Sequence, residues 1–407
     1  MKTNESKLAQ ILLALLTASV LGISAIAGSV AAQAATTLLM GTTYLPDPVA
    51  NPDYVNGATK YYIDQTTLCK VQSCTAQPVI TPEEFWPFTG SNDLKIDKSI
   101  AEGTTIIDGA IQHGLTTTSD PIVVFGDSQS SSILTHEKRD LAGLSAADKG
   151  RLTFELVANP NRPNGGLLQR IAPLTIPILD LTGSGATPTN TGITTVDIAF
   201  QYDPIADFPR YPLNLLADLN TLAGRGIHSS YMTGLNSYTE AELIQAVNDP
   251  ANQQTYQDTT YVTIPAKRLP LVVPLLAFGK ATGLSAVTTP IVDLVEPTLK
   301  VLVELGYDRS ISYGQPARLG LFPKINVPKL VTDLHAAAKE GVHAALADIG
   351  APCAGQSPSG STVGGGTAAT TAARGAHVPK TAAAGEAPSR AGAAARGSAQ
   401  RSVPHPH

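Results

Sequence analysis

The stretch PIVVFGDSQSSSIL, residues 121–134, decides the fold. Pro121 opens a run of four apolar residues, Ile122, Val123, Val124 and Phe125, of which the first three are β-branched. A short, continuous, β-branched run is how a strand buried on both faces of a parallel sheet reads, because neither of its sides meets water. Gly126-Asp127-Ser128 ends the strand, and a helix is expected from Gln129. A serine on such a sharp strand-to-helix turn projects its hydroxyl off the end of the sheet, and its neighbours must be small for strand and helix to approach. The helix N-terminus adds unpaired N–H groups and a positive dipole beside that hydroxyl. Gly126-x-Ser128-x-Ser130 therefore reads as a nucleophile elbow of the G-x-S-x-G kind, with Ser130 in place of the last glycine. The competing reading is a plain serine-rich turn, since Ser130, Ser131 and Ser132 run on.

Outward from this stretch, strands are expected at 36–40, which turns sharply at Gly41-Thr42-Thr43, at 152–157, closed by Asn159-Pro160, and at 194–202, closed by Asp203-Pro204. Apolar spacing predicts helices over 99–115, 213–222 and 329–349, and residues 229–310 mix helix with Pro-bounded segments. Strands that alternate with helices give the α/β class with a mostly parallel sheet.

The chain has 407 residues, 43% of them hydrophobic and only 15% charged, with 35 Gly and 30 Pro. This excludes a coiled coil, a polytopic membrane protein and a wholly disordered chain. The formal net charge is −5; residues 1–34 carry +1 and 354–407 carry +4, which leaves −10 on the body between them. An acidic body argues against nucleic acid as a partner, because phosphate binding needs a basic surface.

Residues 1–34 read as an export segment. Lys2 and Lys7 precede an apolar run from about Ile11 to Ala32, and Ala32-Gln33-Ala34 is an A-x-A site ahead of Ala35. The run is long for a signal peptide and nearly long enough to span a membrane, so it is either a cleaved signal or an uncleaved anchor. Both readings place the body outside the cytoplasm, in the cell envelope or secreted. Residues 354–407 hold 15 Ala and 9 Gly and no Leu, Ile, Met, Phe, Tyr or Trp. Such a segment cannot bury enough apolar area to offset the entropy of ordering it, so it is expected to be a disordered tail. One domain over 35–353 remains. Of the three Cys, Cys69 and Cys74 are close enough in sequence to form a small disulfide loop in an exported protein, with two free thiols as the alternative. No metal-ligand spacing is present, and no cofactor is expected.

A serine nucleophile needs a base, and the base needs an orienting carboxylate. In α/β hydrolases these follow the order Ser, acid, His. That order prunes the eight His. His113 precedes Ser128, His136 lies on the helix that Ser128 opens, His377, His405 and His407 fall in the tail, and His335 and His343 sit on the last helix. His228, in the loop Gly224-Arg225-Gly226-Ile227-His228, survives as the candidate base. Asp203, directly after the 194–202 strand, is the preferred acid, and Asp207 in Ala206-Asp207-Phe208-Pro209 is the alternative. Two oxyanion donors are needed. The backbone N–H of Gln129 is one, and Thr42 in the Gly41-Thr42-Thr43 turn is the candidate for the other.

These residues resemble the PE-PPE domain, a serine-hydrolase module of mycobacterial proteins related to cutinases and lipases. The resemblance is carried by VVFGDSQSSSIL, by Glu84-Phe85-Trp86-Pro87, by QYDPIADFPRYPLNLLADLN over 201–220 with His228 downstream, and by Leu305-Gly306-Tyr307. It covers about 36–320 and implies an α/β-hydrolase fold with a triad of Ser128, Asp203 and His228. The arrangement is similar to family members that transfer acyl chains onto trehalose glycolipids in the cell envelope. An acyl lipid or glycolipid substrate, membrane association and an acyl-serine esterase or acyltransferase follow as expectations. The alternative is a non-catalytic envelope protein that binds lipid on the same fold. The apolar stretch 269–279 is either a cover for an acyl groove or ordinary core.

Overall fold

The structure, a computed structural model, describes residues 34–350. The export segment, the tail with its three His, and Cys353 lie outside the described residues.

The described residues build nine strands: β1 (Ala35–Leu39), β2 (Cys74–Pro78), β3 (Ile122–Asp127), β4 (Leu152–Val157), β5 (Thr175–Ile176), β6 (Leu181–Thr182), β7 (Thr194–Phe200), β8 (Gln253–Tyr256) and β9 (Thr259–Ile264). Seven form one sheet in the order β2-β1-β3-β4-β7-β9-β8. Every neighbouring pair is parallel except β8 with β9. β5 and β6 make a small separate hairpin. The principal helices are α1 (Pro52–Tyr61), α2 (Ile96–Thr117), α3 (Gln129–Asp140), α4 (Leu215–Ala223), α5 (Glu240–Asn248), α6 (Val273–Thr282), α7 (Ser285–Glu304) and α8 (Val327–Asp348). This mostly parallel sheet flanked by helices is an α/β-hydrolase-like fold.

Each central strand feeds two cores, which is why it reads as an unbroken apolar run. On β3, Val124 joins a cluster with Leu38, Ile100, Ile107, Ile133 and Leu156, on the side covered by α2 and α3. Its neighbour Phe125 joins the other cluster, with Leu39, Tyr54, Val157, Phe200 and Val303, on the side of α1, α4, α5 and α7. Successive side chains of a strand point to opposite faces, so the alternation is a direct result of the pleat. Burying one such side chain contributes about 1.5–3 kcal/mol.

Three segments depart from the sequence expectations. β2 was not foreseen: its residues CTAQP are mostly exposed and carry no apolar pattern, as suits an edge strand. Cys69 and Cys74 are bonded, with Cα atoms 5.5 Å apart, and the bond sits at the start of that edge strand. β9, TTYVTI, emerged from the region read only as mixed, because its hydrophobic content is diluted by threonine. The 269–279 stretch divides: Leu269, Pro270 and Val272 are core, whereas Val273, Leu275 and Phe278 on α6 are exposed. Among the described residues no helix is long and apolar enough to cross a membrane.

The β4 to β7 seam is held by a buried ion pair. Arg162, in the loop after β4, places Nη1 2.7 Å from Asp197 Oδ1 on β7, and Nη2 donates to Thr263 Oγ1 on β9 at 2.7 Å. Both partners are inaccessible to solvent, and Asn159 Nδ2 donates a further bond to Asp197 at 2.8 Å. Removing one member of such a pair strands the other charge in a medium that cannot solvate it. Arg162→Leu is therefore expected to lower the unfolding free energy by about 3–5 kcal/mol, measured by chemical denaturation. The double variant Arg162→Leu/Asp197→Leu should recover a large part of that loss.

Candidate active site

The elbow is held by its own neighbours. Ser128 has φ 58° and ψ −110°, a conformation that a residue with a Cβ adopts only under constraint. Its N–H donates to the Val157 carbonyl at the end of β4, 2.9 Å away. Ser130 Oγ accepts the Asp127 N–H at 2.7 Å and donates to the Gly41 carbonyl at 2.6 Å. Ser131 Oγ lies 2.8 Å from the carbonyls of both Gly126 and Val157. Two of the three serines that made the motif look like a loose turn thus pin it to β1 and β4. Gly126 is needed because a Cβ there would lie 2.8 Å from the backbone of Ser130, where α3 begins. Gly41 is needed because a Cβ there would lie 1.7 Å from the Leu45 carbonyl oxygen.

The loops after β3, β7 and α4 bring three of the candidate residues together. Ser128 Oγ is 2.7 Å from His228 Nε2. His228 Nδ1 is 3.0 and 3.1 Å from the two carboxylate oxygens of Asp203. Asp203 is inaccessible to solvent and also accepts the Ile205 N–H at 2.7 Å and the Tyr231 hydroxyl at 2.6 Å. Burial raises the pKa of this carboxyl, and the His228, Tyr231 and Ile205 donors outweigh that, so it lies below the usual value. For His228, burial lowers the pKa, and the Asp203 carboxylate together with Asp127 outweighs it, so the imidazolium is favoured relative to the ordinary 6.5. With Nδ1–H donated to Asp203, Nε2 is left as the acceptor for the Ser128 hydroxyl.

Asp207 does something else. Arg309 grips it with two bonds of 2.6 and 2.9 Å, and the Tyr202 N–H donates to it at 2.8 Å. It orders the loop that carries Asp203 and makes no hydrogen bond to His228. His113, His335 and His343 are exposed on α2 and α8, and His136 points off α3; none of them lines the cavity at Ser128.

Gln129 opens α3, so its backbone N–H has no partner within the helix. Its side chain has a role the sequence did not suggest. Nε2 donates to Ser99 Oγ on α2 at 2.6 Å, and Oε1 accepts the Thr43 hydroxyl at 3.0 Å. That side chain ties the elbow to the Gly41-Thr42-Thr43 turn, where Thr42 faces the same cavity as Ser128. Tyr231 and Arg309 were likewise missed, since neither a lone tyrosine nor an arginine 102 positions from its partner carries a local signal.

Ser128 and His228 open into a cavity of about 590 Å³. Its apolar lining includes Phe85, Ile96, Ile100, Leu168, Leu181 and Ile205. Its polar lining includes Thr42, Thr43, Asn51, Asp97, Asp127 and Ser229. Phe85 belongs to the Glu84-Phe85-Trp86-Pro87 segment, which gives that segment a place at the site. The 269–279 stretch does not line the cavity. Among the described residues no group of three or more His, Cys, Asp or Glu is arranged to hold a metal ion. A serine hydroxyl bonded to an imidazole, itself bonded to a buried carboxylate, can be deprotonated as it attacks an ester carbonyl.

A family model for the PE-PPE domain matches residues 73–308. The chain is 42% identical over 281 residues to the Uncharacterized PPE family protein PPE42 of Mycobacterium tuberculosis (strain CDC 1551 / Oshkosh), covering 68% of this chain and 46% of that protein. It is 38% identical over 292 residues to Esterase PE16 of Mycobacterium tuberculosis (strain ATCC 25618 / H37Rv), covering 71% of this chain and 51% of the relative. With SL1278 acyltransferase Chp1 of the same strain it shares 33% identity over 228 residues, 54% of each chain. The chain spans about half the length of the curated relatives it matches. With more than half of its length matched by the family model, and with the elbow and sheet described above, the chain belongs to the PE-PPE domain family.

Proposed function

We propose that this protein is a serine acyl-enzyme that moves or hydrolyses fatty acyl esters of envelope lipids. The observation that carries the reading is the continuous chain from Ser128 Oγ through His228 to buried Asp203, opening into a cavity with both apolar and hydroxyl-bearing lining residues. Ser128 attacks the ester carbonyl while His228 Nε2 takes its proton. The oxyanion forms against the Gln129 N–H and Thr42. His228 then returns the proton to the leaving alcohol. The acyl group passes from Ser128 to water, as the name Esterase PE16 describes for that relative, or to an alcohol, as acyltransferase describes for Chp1. The apolar lining residues suit the acyl chain of a lipid donor.

Export to the cell envelope belongs to the same proposal. Its support is the basic and apolar start of the sequence, together with the Cys69–Cys74 bond, since such bonds persist in oxidising compartments. Whether the start is cleaved or retained as a membrane anchor would be read by N-terminal sequencing of the protein recovered from envelope fractions.

Labelling with a fluorophosphonate, followed by peptide mapping, tests the nucleophile. The native chain should carry the label on Ser128, and Ser128→Ala should carry none and lose about three or more powers of ten in turnover. Label at another serine would end the assignment. His228→Gln should abolish burst acylation, whereas His335→Gln and His343→Gln should keep it.

The pH profile follows from the sign of the His228 shift. The base must be neutral to accept the serine proton, and its folded-state pKa lies above 6.5. Hence kcat/KM for acylation should fall as pH drops through a midpoint above that value. A midpoint below it would mean that Asp203 does not act on the imidazole. Tyr231→Phe removes one donor from Asp203 and leaves the Phe200 N–H, which Tyr231 Oη accepts at 2.8 Å, without its partner. It should lower stability by about 1–3 kcal/mol in denaturation and slow acylation.

A further inference from the structure

Two acids line the cavity, Asp97 and Asp127; Asp97 accepts the Thr182 N–H at 3.1 Å, whereas Asp127 has no part in the acyl transfer proposed above. It precedes the nucleophile, and its strand parity matches Phe125, so it shares the sheet face of Tyr54 and Tyr231. The residue is 6% exposed, and its Oδ1 is buried without a hydrogen-bond partner. Three other polar groups of the lining are engaged. Asn51 Oδ1 accepts the N–H groups of Asp53 and Tyr54, the Tyr54 hydroxyl donates to the Met40 carbonyl, and the Thr43 hydroxyl donates to Gln129. No lysine or arginine lines the cavity. The ionisable groups facing Asp127 are His228, Asp203, Glu83, Tyr54 and Tyr62. Burial, opposed by His228 and the Thr42 side chain and reinforced by Asp203, pushes the carboxyl up to about 7.

A buried carboxyl oxygen that lacks a partner is costly, and a donor brought in by a ligand removes that cost. The donor must be neutral and small enough to sit beside the acyl-serine. A hydroxyl on the carbon next to the reacting one meets both conditions. We propose that Asp127 is the acceptor-binding residue of this site: its carboxyl takes a hydrogen bond from one hydroxyl of a polyol, while the neighbouring hydroxyl receives the acyl group from Ser128. This rests on the acyl-serine reading above. In the transfer, the attacking oxygen forms a bond to the acyl carbon and its proton passes to His228 Nε2. The bond from the acyl carbon to Ser128 Oγ breaks, and His228 returns the proton to Oγ. Water also fits the carboxyl, but it has no second hydroxyl to deliver. The bond to Asp127 therefore orients a diol and not a simple alcohol.

The test uses the full chain, p-nitrophenyl decanoate as acyl donor, and three acceptors: butan-1-ol, glycerol, and a monoacylglycerol in mixed micelles. The p-nitrophenol burst counts acyl-enzyme. Mass spectrometry gives the ratio of transfer ester to free acid, which does not depend on how much acyl-enzyme a variant forms. The native chain should prefer at least one of the two polyols to butan-1-ol by about tenfold, the scale of one hydrogen bond to a charged group. Glycerol against monoacylglycerol tells a free polyol from one presented by a lipid. Asp127→Ala and Asp127→Leu, one emptying the position and one keeping its bulk, should bring the preference down to about twofold or less. A native chain with no polyol preference, or a preference that survives in either folded variant, overturns the proposal. A native chain that shows no burst overturns the acyl-serine reading itself and this proposal with it, whereas a burst without polyol preference leaves that reading standing.

Discussion

The positive φ of Ser128 is the constraint on which the site depends. A backbone in that region costs about 1–3 kcal/mol and persists only where its surroundings over-determine it. Here the surroundings are the two strands beside β3. Val157 on β4 holds the Ser128 amide, and the Gly41 carbonyl past β1 receives the Ser130 hydroxyl. The central place of β3 in the sheet is thus a condition for the elbow geometry, since an edge strand would have one such neighbour and not two.

Around that point the protein treats three aspartates in three ways. Asp203 is given three donors and stays ionised beside the imidazole. Asp207, four residues on, is neutralised by Arg309 and serves the loop. Asp127 keeps one carboxylate oxygen, Oδ1, buried without a hydrogen-bond partner. Residue type and sequence spacing are nearly the same for the first two, so the assignment of roles is made by the partners that the fold delivers.

That explains what could and could not be read from the chain. The strands 121–125 and 152–157 were legible because burial on both faces leaves a pattern within six residues. Ser128, Asp203 and His228 were legible because elbow context and chain order restrict the choices. The structure brings Ser128 Oγ and Asp203 each within hydrogen-bonding distance of His228. Arg309, Tyr231 and the Gln129 side chain were not legible, since their meaning lies in contacts 28 to 102 positions away. The edge strand β2 was missed for the opposite reason: exposed residues have no core to encode. The serine run 130–132 was legible as composition but not as function, because its hydroxyls act through carbonyls on other strands.

The cavity lies on the seam between the two hydrophobic clusters. Ile96, Ile100, Phe85 and Leu181 belong with the cluster under α2, while Leu45, Tyr54, Tyr231 and Met232 belong with the one on the opposite face. The two sides of the cavity therefore rest on different sets of core residues, which meet across the strand that ends in the elbow. A substitution under one side repacks a different cluster from a substitution under the other, so the two halves of the cavity can be reshaped by separate sets of core changes.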